Sequence, residues 1–239
     1  MARQPGGGGK RQLKVRVKTA RGRRTSSQMW LERQLNDPYV AEARSRGYRS
    51  RAAFKLIEMD DKWKLMRPGD CVIDLGAAPG GWTQVAVQRT KAVAEGATAA
   101  DGQVIAIDIS AMEQIPGAEI IHLDFMDETA ADRLKALMRK PAADLVMSDM
   151  AAPATGHTRT DHLRIMGLAE AAAEFAGEVL RQGGAFLCKV LQGGTERELL
   201  DRLKREFTTV RHVKPPASRA DSSELYVLAT GFRGGNAKS

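Results

Sequence analysis

Cys71-Val72-Ile73-Asp74-Leu75-Gly76-Ala77-Ala78-Pro79-Gly80-Gly81-Trp82 decides how this chain is read. Cys71 to Leu75 is mostly apolar and reads as a short buried strand. A glycine-rich turn follows, and a helix starts at Gly81. A strand, a tight glycine turn and a helix N-terminus make the nucleotide cradle at the carboxyl edge of a parallel sheet. The spacing departs from the dinucleotide fingerprint G-x-G-x-x-G. Counted from Gly76, its second glycine falls on Ala78 and its third on Gly81. Pro79 also removes one N–H from a loop that would cradle pyrophosphate. Such a turn suits a nucleoside ligand without phosphates. The bland alternative is a turn that only reverses the chain.

Working outward, apolar strand candidates alternate with helical patterns. Upstream, Met29 to Ala43 reads as a short helical segment interrupted near Pro38, and Arg51–Trp63 as a helix with Ser50 as its N-cap. Between them, Arg44, Arg46, Arg49 and Arg51 surround Tyr48, a cluster suited to phosphates and a stacked base. Downstream, the pattern gives a helix over Gly81–Arg89, a loop or short helical extension over 90–102, strands over Gln103–Asp108 and Ala118–Leu123, and a helix over Glu128–Arg139. A strand over Ala142–Met147 comes next, then a long helix over Asp161–Gln182 that Gly183-Gly184 terminates. Strand Ala185–Leu191, helix Thr195–Glu206 and strands Thr208–Lys214 and Glu224–Thr230 complete the chain. The last two strands read as an antiparallel pair at the sheet edge. The alternation predicts an α/β fold, a mostly parallel sheet with helices on both faces.

Charge is unevenly placed. Residues 1–25 hold nine Lys and Arg and no acid, against a net charge of +8 for the whole chain. A polycationic arm on a nearly neutral body points to a polyanionic partner, bound with little sequence preference. A solubilising tail is the alternative. The organisation expected is a disordered basic arm over 1–27, one domain over 28–233 and a short tail over 234–239. No apolar run approaches the ~18 residues of a membrane span, and the basic N-terminus lacks the apolar stretch of a secretory signal. Cys71 and Cys188 fall inside apolar strands and read as small core residues rather than a disulfide or metal pair. The four histidines show no ligand spacing, so no metal is expected, and a cytoplasmic location is the default.

Three acids, Asp108, Asp124 and Asp149, each end an apolar strand, which in a doubly wound sheet is the ligand edge. Any one alone is more often a turn residue. Lys189 sits within Phe186-Leu187-Cys188-Lys189-Val190-Leu191, where an unpaired buried lysine is costly, although a lysine at a strand end can also snorkel to water. Lys55 and Glu224 are ordinary by position alone.

Taken together, these stretches resemble the FtsJ/RrmJ-type ribosomal RNA 2′-O-ribose methyltransferases, from about Trp30 to Phe232. The resemblance rests on Arg49 to Leu56, Asp74 to Trp82, Met147 to Ala151, Lys189-Val190 with Gln192-Gly193, and Ser218-Arg219 with Ser223 to Tyr226. It implies a Rossmann-like class I methyltransferase fold with a seven-stranded sheet and S-adenosylmethionine as cofactor. It places the Lys-Asp-Lys-Glu tetrad on Lys55, Asp149, Lys189 and Glu224, and cofactor contacts on Gly80, Trp82, Asp108, Asp124 and Asp149. The chain departs from the family pattern in its basic arm, its 90–102 insertion and Ala151-Ala152-Pro153. By resemblance, a ribose 2′-hydroxyl attacks the sulfonium methyl while Lys189 takes the proton. The expected partner is large-subunit ribosomal RNA, methylated at a uridine on the assembled or maturing subunit, with the enzyme acting as a monomer. Transfer RNA as substrate, a non-catalytic RNA-binding assembly factor and a nicotinamide-dependent oxidoreductase are the other readings.

Overall fold

The computed structural model describes residues 31–32, 34–93, 96, 98, 100–152, 155–192 and 197–234. The expected basic arm over 1–27 lies outside them, as does all but the first residue of the expected tail. Seven strands form one sheet: β1 (Cys71–Leu75), β2 (Gln103–Asp108), β3 (Ala118–His122), β4 (Ala143–Ser148), β5 (Leu180–Leu191), β6 (Phe207–Val213) and β7 (Glu224–Phe232). Their order is β3-β2-β1-β4-β5-β7-β6. The first five run parallel, and β7 pairs antiparallel with both β5 and β6. The helices are α1 (Pro38–Ser45), α2 (Ala52–Trp63), α3 (Gly81–Thr90), α4 (Ala130–Leu137), α5 (Thr158–Val179) and α6 (Arg197–Glu206). This is a Rossmann-like α/β arrangement. β1 has β2 on one side and β4 on the other, so strand order reverses there and a crevice opens beyond the carboxyl ends.

The two-residue period of the strands builds two cores. Cys71, Ile73 and Leu75 of β1 join one with Leu134, Phe175 and Leu203 from α4, α5 and α6. Val72 points the other way, among Leu56, Met59, Trp82 and Val85 of α2 and α3. Burying both faces is why β1 and β2 read as continuous apolar runs.

Two expectations need correction. The long helix stops at Val179 rather than Gln182, because Leu180 turns extended (φ −72°, ψ 137°) and pairs with Ala143. Gly183-Gly184 lies inside β5. Between Ala143 and Leu145 of β4 the partner on β5 steps from Leu180 to Ala185, a bulge in which Gly183 takes φ +81°. The helical period hid this, since Leu180 continues the apolar stripe of α5. The expected antiparallel pair is present at one edge of the sheet, with β7 against β5 and β6 outermost. Ser50 makes no side-chain cap: Arg51 occupies the cap position, and the Ser50 hydroxyl is buried without a hydrogen-bond partner among the described residues. A Cβ on Gly81 would lie 2.4 Å from that hydroxyl, so Ser50 is a close-packing residue between the starts of α2 and α3.

Candidate active site

The turn after β1 leaves little backbone for a phosphate. Gly76 N–H and Ala77 N–H both donate to the Ile107 carbonyl at 2.9 and 3.1 Å. Ala78 N–H donates to Asp108 Oδ2 at 2.8 Å, and Gly80 N–H to the Ala77 carbonyl at 2.7 Å. With Pro79 lacking an N–H, every backbone donor from Gly76 to Gly80 is absent or already engaged. Gly76 has φ +76°, and a Cβ there would meet Met150 Cγ at 2.6 Å, so only glycine lets the ends of β1 and β4 approach.

A cleft of about 490 Å³ opens beside this turn, bounded by Gly76, Ala78, Asp108, Asp124, Met126 and Asp149 among others. Asp108 ends β2, Asp124 lies just beyond β3, and Asp149 follows β4, its N–H bonded to the Leu75 carbonyl at 3.1 Å. All three carboxyl groups line one cleft, with no basic side chain among its lining residues. Ile109 and Met126, 66% and 56% exposed, form an apolar rim. A cleft with acids, an apolar rim and no free amide nest fits a cationic nucleoside and disfavours pyrophosphate. S-adenosylmethionine, with its sulfonium and ammonium charges, ribose diol and adenine, has that chemistry.

Gly80 and Trp82 sit differently. Gly80 caps α3 with φ +108° and does not line the cleft. The Trp82 indole is buried in the core, its Nε1–H donating to the Ala52 carbonyl at 2.8 Å and its ring 5.6 Å from that of Tyr226. Only the backbone of Trp82 is thus left for contact with a ligand in the cleft.

Asp74 lies beneath the turn, fully buried. Thr83 Oγ1 donates to its Oδ2 at 2.6 Å, and Oδ1 has no partner among the described residues. Burial pushes its carboxyl up to about 7, against the pull of the Thr83 hydrogen bond and with a further push from Asp149 and Asp108.

On the other side of Asp149 stands an ionic cluster. Lys189 Nζ lies 2.8 Å from Asp149 Oδ1 and donates to the Asp149 carbonyl at 2.7 Å. Lys55 Nζ, on the buried face of α2, lies 2.6 Å from Glu224 Oε1. Ser218 Oγ donates to the same Glu224 oxygen at 3.1 Å. Burial raises the Glu224 carboxyl, but the Lys55 charge and hydrogen bond, then Lys189 and the Ser218 hydroxyl, outweigh it, and the net shift is downward. Lys55, Asp149, Lys189 and Glu224 therefore meet at one place, although they are distributed from residue 55 to residue 224. Sequence reasoning missed Ser218 and Tyr226 as partners in this cluster. The signal for Tyr226 was its two-residue offset from Glu224, which puts both on one face of β7.

The arginine cluster is mostly committed elsewhere. Arg49 donates to the carbonyls of Glu113 and Gln114. Arg51 pairs with Asp37 at 2.9 Å and donates to the Ala217 carbonyl. Arg46 pairs with Glu42, and Tyr48 donates to Gln88. These bonds tie the segment to α1, α3, the β2–β3 connection and the β6–β7 loop, while Arg44 is exposed near the end of α1. Both cysteine thiols are buried and pushed up to about 12, chiefly by burial, so neither is a nucleophile at neutral pH. Among the described residues no cluster of three metal-ligating side chains occurs, and no helix is long and apolar enough to cross a membrane.

Residues 48–232 match the model of the FtsJ-like methyltransferase family. The ribosomal RNA large subunit methyltransferase E of Parvibaculum lavamentivorans is 62% identical over 96% of this chain and 91% of its own. The protein of the same name from Xanthobacter autotrophicus is 61% identical over 98% of this chain and 90% of its own. A crystal structure of a ribosomal RNA methyltransferase from Plasmodium falciparum superposes with a TM-score of 0.68 at 29% identity, covering 79% of this chain and all of that one.

Proposed function

The chain belongs to the FtsJ-like methyltransferase family, and from that premise we propose that it methylates the ribose 2′-oxygen of a uridine in large-subunit (23S) ribosomal RNA. The observation that carries the reading is the joining of two features at Asp149: an acid-lined nucleoside cleft on one side and two lysine–carboxylate pairs on the other. The relatives named for large-subunit ribosomal RNA supply the substrate class.

Asp108, Asp124 and Asp149 are the residues assigned to hold S-adenosylmethionine, while Gly80 and Trp82, outside the lining of the cleft, are assigned by family resemblance alone. When bound, that cofactor supplies an electrophilic methyl group on a sulfonium. The protein's own residues then have three tasks. Asp149 fixes Lys189 through both its carboxylate and its carbonyl. Lys189, once in its neutral amine form, receives the proton of the attacking 2′-hydroxyl, whose ordinary acidity is far too weak for unaided ionisation at neutral pH. Lys55, held by Glu224, presents a positive charge beside the incoming ribose and its phosphates. Much of the acceleration is alignment of acceptor and donor. The same reading has the protein acting as a monomer in the cytoplasm, on the assembled or maturing subunit.

The test is transfer of labelled methyl from S-adenosylmethionine to large ribosomal subunits lacking ribose methylation, with naked ribosomal RNA and transfer RNA as parallel acceptors. Label on the subunits is the expected result. Label on transfer RNA alone would retain the chemistry and overturn the substrate. No label on any acceptor, with the cofactor still bound, would favour a non-catalytic assembly factor.

A further inference from the structure

The two ion pairs of the cluster are not separate. Tyr226 Oη donates to Asp149 Oδ1 at 2.8 Å and accepts from Lys55 Nζ at 3.3 Å. One hydrogen-bonded chain therefore runs from Ser218 through Glu224, Lys55, Tyr226 and Asp149 to Lys189. Without the tyrosine hydroxyl it splits into a Lys55–Glu224 pair and a Lys189–Asp149 pair. Register places the tyrosine there: Lys189 on β5 stands directly opposite Tyr226 on β7, and Leu191 opposite Glu224. The ring has no exposed surface and packs against the Trp82 indole, which is itself anchored to α2 through the Ala52 carbonyl. A buried phenol so placed has little freedom to swing.

We propose that Tyr226 is a positioning residue for methyl transfer, its hydroxyl coupling the Lys55–Glu224 pair to the Lys189–Asp149 pair and fixing the carboxylate that orients Lys189. The inference rests on the reading of the cluster as a methyl-transfer site and adds a residue to it. Asp149 Oδ1 takes a hydrogen bond from Tyr226 and pairs with the Lys189 charge, so the tyrosine sets where that oxygen lies, and the oxygen sets where Lys189 Nζ lies. The phenol is a standing donor: burial first, then the Asp149 and Glu224 charges, hold its ionisation well above the ordinary value. It neither gives up a proton nor touches the reacting atoms. Small displacements at such a centre are expensive in rate, since about 1 Å can cost on the order of 10²-fold.

The test is Tyr226→Phe, which keeps the ring and removes only the hydroxyl, assayed beside the parent and Lys189→Ala on undermethylated large subunits. The expected result is a kcat lower by about 10- to 100-fold, with KM for S-adenosylmethionine, affinity for S-adenosylhomocysteine and melting temperature close to those of the parent. Tyr226→Leu, which also removes the ring packing, is expected to lower the melting temperature as well. A kcat for Tyr226→Phe within twofold of the parent overturns the proposal. So does a loss of turnover matched by equal losses of cofactor affinity and thermal stability, which makes the tyrosine merely structural. A parent without activity on any RNA would instead defeat the functional reading on which the proposal rests.

Discussion

Asp74 and Glu224 are both acids taken out of water at the carboxyl end of the same sheet, and they respond in opposite directions. Asp74, beneath the glycine turn, has only a threonine hydroxyl to offset burial, and its carboxyl rises to about 7. Glu224, in the ionic cluster, has a lysine 2.6 Å away, and its carboxyl falls despite burial. The difference separates two kinds of construction. Around the turn, Asp74 meets a hydroxyl and no basic side chain, and the cleft beside it is a receptacle. Around Lys189, charges are held against charges, and any change in one is felt by the others.

The sharpest way to break this separation is to remove the lysine itself. Lys189→Ala is expected to lower kcat by about 10²–10⁴-fold while leaving S-adenosylhomocysteine affinity near that of the parent, measured by calorimetry. Joint loss of both would mean that cluster and receptacle are one structural unit. A smaller effect is expected from Glu224→Gln, which keeps an acceptor for Lys55 but removes its charge. Turnover should fall by about 10-fold, below the cost of a full 1 Å misplacement. Glu224 also gives the pH dependence a definite sign. Its lowered carboxyl contributes stability above its ordinary range near 4.5, lost as pH falls through the lower folded value. Denaturant titrations of the parent and Glu224→Gln at acid pH should therefore converge.

The smallest effect belongs to the turn. Asp74 is raised, so its sign is reversed: its contribution is complete below about 4 and is lost as pH rises through about 7. Asp74→Asn should flatten the fall in stability over that window and raise the melting temperature at pH 8, on the order of 3 °C for each kcal/mol recovered. A steeper fall in the variant would show that Asp74 is ionised and needed in that form.

Much of this was legible in the chain. The continuous apolar runs of β1 and β2 gave those strands their limits, because burial on both faces leaves no ambiguity of period. The departure of Ala78 and Pro79 from the dinucleotide spacing pointed to a ligand without pyrophosphate, and the engaged amides of the turn give the physical reason. What the chain hid was pairing across distance. Nothing local distinguishes Leu180 as the first residue of a strand, because only its partner Ala143 on β4 makes it one. The acceptors of the arginines around Tyr48, the carbonyls of Glu113, Gln114 and Ala217, carry no signal in sequence. Lys189 stood out as a lysine in an apolar strand. Lys55 and Glu224 became visible through family resemblance, and Tyr226 through the register of β5 and β7.

The most direct measurement of the central claim is the chemical position of the transferred methyl group. Large subunits lacking ribose methylation are labelled by the protein, and their RNA is hydrolysed with alkali, which requires a free 2′-hydroxyl to cleave. The account predicts label in one alkali-resistant dinucleotide containing a modified uridine, present with the parent and absent with Lys189→Ala. Label released as an ordinary mononucleotide would place the methyl on a base and contradict the assignment of Lys55, Asp149, Lys189 and Glu224 to ribose chemistry.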